Sequence, residues 1–280
     1  MKKVWNKNTI PYAIASIVLF AVLFCFTFPG RKDEAKRQAV QLVTFGDSVF
    51  GEVRDETAIP AQLSELLGMS CYNAAFGGTR MARADLEHRL DYAKDSLCMV
   101  GLMKSLRADD FSVQQTVRIR ESNTEYFEET VDGLAAIDFS KVELILIQHG
   151  LNDYYSGTAI SNTDDPYDEY TFTGALRTSL SILKEKYPEI RIVIVTPTYT
   201  WYLQEGLTCE ELDMGYGFME DYVTAELEVA EEFGLEVIDL YHDFLPHEKW
   251  EDWELYTRDG LHPNEAGRML IAERIAEELQ

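Results

Sequence analysis

The chain has 280 residues and 46% hydrophobic content, enough for a sizeable core and too apolar for large-scale disorder. Its formal net charge is -24, and residues 38–280 carry 18 basic against 47 acidic residues, a net of -29. Such a body repels nucleic acid and anionic lipid headgroups, which leaves neutral or cationic partners, or simply a solubilising surface.

In chain order, Lys2, Lys3 and Lys7 precede an uncharged run from Ile10 to Phe28, which as a helix measures roughly 28 Å, one bilayer core. It ends Phe26-Thr27-Phe28-Pro29-Gly30 without a small-x-small cleavage pattern, so it reads as an uncleaved signal anchor rather than a secretory signal peptide. Phe24 before Cys25 argues against lipoprotein processing. The cationic start favours a cytoplasmic N-terminus and an extracytoplasmic body at the cell membrane, with secretion after cleavage as the alternative. Residues 1–30 are thus expected to be start and anchor, 31–38 a charged linker, and 39–280 the folded domain. Outside the anchor, Cys71, Cys98 and Cys209 are an odd number without CxxC or Cys/His spacing. That argues against a disulfide framework or a zinc site, although one pair could form in an exported body.

Five short β-rich apolar runs follow: Gln41–Phe45, Ser70–Ala74, Val142–Gln148, Arg191–Thr196 and Glu236–Leu240. Helical patterns lie between them, at Ile59–Leu67, Arg80–Ala93, Thr124–Ala136, Phe172–Lys186, Tyr216–Phe233 and Asn264–Leu279. In the last of these, Ala266, Met269, Leu270, Ala272, Ile275 and Ala276 recur at steps of three and four, predicting one buried face. Strands alternating with helices predict an α/β fold, a three-layer α/β/α sandwich around a parallel sheet of about five strands. Two long connections stand out, Asp95–Asn123, with a small β element expected at Gln115–Glu121, and Tyr154–Tyr170. Loops of that length often carry function.

In a parallel α/β sheet, ligands bind beyond the carboxyl ends of the strands. There the first strand delivers Gly46-Asp47-Ser48, the second Asn73-Ala74-Ala75-Phe76-Gly77-Gly78, and the third His149-Gly150-Leu151-Asn152-Asp153. The final helix is preceded by Asp259-Gly260-Leu261-His262-Pro263-Asn264. These four blocks, in this order, resemble the SGNH hydrolases, also called GDSL esterases and lipases, from about Val40 to the C-terminus. The resemblance implies a flavodoxin-like fold and a serine hydrolase of carboxylic esters that needs no metal or other cofactor. Carried over by position, it implies Ser48 as nucleophile, His262 as general base and later acid, and Asp259 as the group orienting the imidazole. It also implies an oxyanion hole from the Ser48 and Gly78 backbone N–H groups and the Asn152 side-chain amide. A serine hydroxyl needs such a base, and the base needs a third group to fix its tautomer. Ala75, Gly77 and Val49 depart from the family's common residues, which bears on loop shape and leaves the donors intact.

Asp47, Asp153 and His149 invite a metal reading, but no other ligand completes a set, and in the family such acids mainly tie loops together. The Gly-x-Ser-x-Gly elbow of the other large serine esterase fold is absent, because position 50 is Phe. His88, His242 and His247 read as helix-surface or loop residues. Tyr154, Tyr155, Tyr199, Trp201, Tyr202, Trp250, Trp253 and Tyr256 could supply a sugar-binding face or ordinary packing. The expectation is a membrane-anchored serine esterase acting on O-acetyl groups of a polysaccharide. Lipid or small-molecule esters, thioesters, acyl transfer at the same site, or a non-catalytic binding protein are the alternatives. No nucleic-acid partner is expected.

Overall fold

The computed structural model describes residues 38–84, 96–116 and 127–280. The chain divides after Arg37, and all described residues belong to the second unit, Gln38–Gln280. The anchor expected at Ile10–Phe28 lies outside the described residues, among which no helix is long and apolar enough to cross a membrane.

The strands are β1 (Leu42–Gly46), β2 (Cys71–Asn73), β3 (Leu144–Gln148), β4 (Arg191–Val195), β5 (Trp201–Tyr202), β6 (Leu207–Thr208) and β7 (Glu236–Ile238). Five of them make a parallel sheet in the order β2-β1-β3-β4-β7. The antiparallel pair β5–β6 is a separate ribbon that sequence periodicity does not show. Side chains alternate across a strand, and both faces of this sheet are apolar. Val43, Phe45, Ile145, Ile147, Ile192 and Ile194 enter one core, whereas Leu42, Leu144, Leu146, Val193 and Val195 enter the other. Burial of both faces is what a parallel sheet requires, and helices supply the cover.

Among the described residues the α-helices, in chain order, are α1 (Ser48–Gly51), α2 (Ile59–Leu67), α3 (Met99–Ala108), α4 (Ser112–Thr116), α5 (Phe127–Ala135), α6 (Leu151–Tyr155), α7 (Phe172–Lys186), α8 (Met219–Glu232), α9 (Trp253–Tyr256) and α10 (Glu265–Leu279). The first core is covered by α3, α7 and α8, and the second by α2 and α10. The three layers and five parallel strands agree with the sequence expectation, and α2 and α7 occupy the predicted ranges.

Four expectations need correction. Arg80–Ala84 is loop rather than the start of a helix, because the Met81 and Ala82 N–H groups donate to the Asp153 carboxylate; residues 85–95 lie outside the described residues. Within the supposed Asp95–Asn123 loop sits α3, seven of whose residues are buried. The start of the β element expected at Gln115–Glu121 is helical, as part of α4, and its remainder is not described. On α10 the buried stripe is Gly267, Ile271, Ala272, Ile275 and Ala276, while Met269 is exposed.

Strands β1 and β3 are neighbours, yet β2 lies on one side of them and β4 on the other. The connections therefore run in opposite directions from the seam between β1 and β3, opening a crevice beyond their carboxyl ends.

Candidate active site

At the end of β1 the backbone passes so close to β3 that a Cβ on Gly46 would sit 2.9 Å from the Gln148 carbonyl oxygen. The chain then turns through Asp47 into α1, whose first residue is Ser48. Asp47 caps this turn, its Oδ1 accepting the Val49 N–H at 2.9 Å. Ser48 is thereby held over the crevice between β1 and β3.

The second block follows β2. Asn73 fixes it to the turn that carries Ser48, Nδ2 donating to the Phe50 carbonyl at 2.7 Å and Oδ1 accepting the Ala75 N–H at 3.1 Å. Arg54, in the loop after α1, adds a staple, donating to the carbonyls of Gly51, Asn73 and Ala75. The loop reaches Gly78 at φ +71°, a left-handed conformation that glycine adopts without cost.

The third block leaves β3 through Gly150 into α6, where Asn152 and Asp153 follow. Asn152 Nδ2 donates to Asp47 Oδ2 at 3.3 Å. Asp153 is fully buried and accepts the Met81 and Ala82 N–H groups at 2.8 and 3.0 Å. Burial pushes the Asp47 carboxyl up to about 7 and that of Asp153 up to about 6.

The fourth block brings the imidazole. Asp259 Oδ1 accepts the backbone N–H groups of Leu261 and His262 at 3.1 and 2.8 Å, closing a tight turn. Gly260 has φ +85°, and a Cβ there would lie 2.2 Å from the Trp201 carbonyl oxygen, so the turn packs flush on β5. On the other side Asn264 caps α10, its Oδ1 accepting the Gly267 N–H at 2.9 Å. Held between ribbon and helix, His262 places Nδ1 2.8 Å from Asp259 Oδ2 and Nε2 3.1 Å from Ser48 Oγ. Burial acts to raise the Asp259 carboxyl, but the His262 backbone and ring hydrogen bonds, the charge of His262 and the Leu261 N–H outweigh it and hold the group below its usual range.

Ser48, Gly78, Asn152 and His262 all line one cleft of about 340 Å³, with Glu52, Leu151, Tyr155, Tyr202 and Leu261. A second groove continues from it, sharing Tyr155, Tyr202 and Leu261 and adding Trp201, Leu203, Gln204, Glu205 and Asp259. Tyr155 is half exposed and stacks on buried Tyr202, centroids 5.6 Å apart and planes within 5°. Of the other aromatics, Tyr154, Tyr199 and Trp201 are buried and serve packing, Trp253 and Tyr256 are partly buried, and Trp250 is exposed.

The remaining candidates lie elsewhere. His149 is buried, which drives its ring down to about 3. His242 bonds Asp239 and Glu220, and His247 stacks on Tyr199; His88 lies outside the described residues. No cluster of three or more ligand-type side chains that could hold a metal occurs among the described residues. Cys71, Cys98 and Cys209 form no disulfide among the described residues. Sequence reading overlooked Glu52 and Arg258, which flank the blocks, and Arg54, whose three carbonyl partners give no local signal.

The profile of the GDSL-like lipase/acylhydrolase family matches residues 44–270. No curated protein matches the chain. Among solved structures, a protein from Lactobacillus plantarum superimposes with a TM-score of 0.61 at 17% identity, covering 85% of this chain and 95% of its own. A possible lipase from Chitinophaga pinensis does so with a TM-score of 0.56 at 16% identity, covering 86% and 97%. A salicylyl-acyltransferase from a tetracycline biosynthetic pathway gives 0.53 at 16% identity, covering 86% of this chain and 54% of that one. At these identities the likenesses are of fold.

Proposed function

The chain belongs to the GDSL-like lipase/acylhydrolase family, and on that premise we propose that it is a serine esterase working through an acyl-enzyme on Ser48. The observation that carries this reading is the single imidazole within hydrogen-bond reach of both the Ser48 hydroxyl, at 3.1 Å, and the Asp259 carboxylate, at 2.8 Å. Ser48 Oγ attacks the ester carbonyl carbon as its proton passes to His262 Nε2, while Asp259 holds the Nδ1 proton and stabilises the imidazolium. The carbonyl oxygen becomes an oxyanion and accepts from the Ser48 and Gly78 N–H groups and from Asn152 Nδ2. Collapse expels the alcohol, which takes the proton from Nε2. Water then loses a proton to the same nitrogen, attacks the acyl carbon, and a second collapse frees the acid and returns the proton to Ser48.

An O-acetyl group on a carbohydrate is the substrate class this reading favours. The flat, half-exposed Tyr155 face, backed by Tyr202, suits stacking against a sugar ring. The adjoining groove offers Gln204 and Glu205 to hydroxyl groups. The reading extends to location: Ile10–Phe28 acts as a signal anchor and the catalytic unit faces outward, which the uncharged length and the leading lysines support. A mature protein beginning near residue 30 would overturn the anchor.

The test of the activity is hydrolysis of p-nitrophenyl acetate by wild type and Ser48→Ala. Turnover that disappears with the hydroxyl supports the reading, and equal rates for the two proteins overturn it.

A further inference from the structure

The two turns that carry Ser48 and His262 are joined by more than the hydrogen bond between those side chains. Glu52 closes the nucleophile's turn, its N–H donating to the Ser48 carbonyl at 3.0 Å, and it also lines the catalytic cleft. Arg258 opens the other turn, its N–H donating to the His262 carbonyl at 3.0 Å. Across the seam, Arg258 Nη2 and Glu52 Oε2 form an ion pair between residues 206 positions apart. Arg258 Nε also stands 3.7 Å from Asp259 Oδ2, the oxygen that takes the His262 Nδ1 contact at 2.8 Å. The guanidinium and the imidazole thus draw on one carboxylate oxygen.

That sharing has a chemical consequence, because attack by Ser48 turns the imidazole into an imidazolium whose charge Asp259 must balance. A cation beside the same oxygen weakens that balance, and an anion bonded to the cation restores part of it. Among the described residues, the charged groups facing the imidazole are Asp259 and Arg258 on its own turn, Glu52 on the nucleophile's turn, and Asp47 beneath Ser48. The cleft adds the phenols of Tyr155 and Tyr202.

We infer that Glu52 and Arg258 are a positioning pair for the reaction. Arg258 limits how tightly the His262–Asp259 couple holds a proton, and Glu52 sets the strength of that effect while pinning the guanidinium across the two turns. The inference rests on the triad reading above. It gives Glu52 a role in tuning the site in addition to forming part of the cleft wall. Because the two side chains are 25% and 45% exposed, the tuning is open to screening by salt.

The experiment is the pH profile of kcat/KM on p-nitrophenyl acetate, at low and at high salt, for wild type, Arg258→Gln, Arg258→Lys and Glu52→Gln. Arg258→Gln should move the acid limb upward by roughly 0.5 pH unit at low salt, as expected for removing one cation near the couple. Arg258→Lys should keep the limb near its wild-type position. Glu52→Gln should move it downward, which tests the pair even if an Arg258 variant fails to fold. Both displacements should shrink at high salt. An acid limb that stays put in both Arg258→Gln and Glu52→Gln overturns the inference, even if plateau rates fall, since the pair would then be a brace alone. If Ser48→Ala retains the wild-type rate, the triad reading falls and this inference with it. An unmoved limb in a Ser48-dependent enzyme removes only the pair.

Discussion

The Asn152 amide donates to Asp47 at 3.3 Å, while the other oxygen of that same buried carboxyl accepts the Val49 N–H at 2.9 Å. One acid therefore caps the turn that carries Ser48 and orients the amide that the proposed mechanism assigns to the oxyanion. Asp47→Asn should keep the cap but set one amide NH2 against another. The expected result is a fall in kcat of roughly 10- to 100-fold with KM little changed, measured by steady-state kinetics on an activated acetyl ester. An unchanged kcat would show that Asn152 is held by other means.

In the proposed mechanism Asn152→Ala removes a donor aimed at charge that develops only in the transition state. The loss expected is about 10²- to 10³-fold in kcat, or about 2.7 to 4 kcal/mol, with KM and thermal stability nearly unchanged. A KM effect with normal kcat would instead make Asn152 a ground-state binding residue.

Tyr155→Ala separates the carbohydrate reading from the esterase reading. On p-nitrophenyl acetate the variant should match wild type, whereas on acetylated oligosaccharides kcat/KM should fall about 3- to 10-fold, the worth of one aromatic stacking contact. Equal losses on both substrates would argue against a sugar platform.

Glu226 on α8 is completely buried, and neither carboxyl oxygen finds a hydrogen-bond partner among the described residues. Burial, with Asp153 and Asp239 nearby, raises its proton affinity well above the usual range. A carboxyl raised in the folded state contributes stability that is fully present below the ordinary glutamate range and lost as pH rises through the elevated folded value. Glu226→Gln should therefore gain stability over wild type as pH increases from about 4 to about 8, because only the wild type must then ionise, or keep protonated, a buried carboxyl without a partner. Urea unfolding at the two pH values checks this. An advantage that shrinks with rising pH would contradict it.

What could be read from sequence depended on whether the signal was local. The helices Ile59–Leu67 and Phe172–Lys186 were legible to the residue because their apolar spacing and end signals lie within the segments themselves. Met99–Ala108 was not, because its start carries no capping side chain, Cys98 making no side-chain cap hydrogen bond, and its polar side is reduced to Lys104 and Arg107 in a short segment. The false helix from Arg80 arose from the opposite cause: the Met81 and Ala82 N–H groups serve an aspartate 72 and 71 positions away, which no window covers. At the site, the four blocks at strand ends brought Ser48, Gly78, Asn152, Asp259 and His262 to attention. The Glu52–Arg258 and Arg54–Asn73 contacts stayed hidden because each depends on the folded approach of distant turns.

The central claim is that the Ser48 hydroxyl becomes the site of acylation, and trapping the adduct tests it most directly. After brief exposure to an activated ester or a fluorophosphonate, intact-protein and peptide mass spectrometry should find one covalent group, located on Ser48. It should be absent from Ser48→Ala and formed at least about 100-fold more slowly in His262→Ala, where the base is missing. An adduct on another residue, or one that survives in Ser48→Ala at the wild-type rate, would contradict the account.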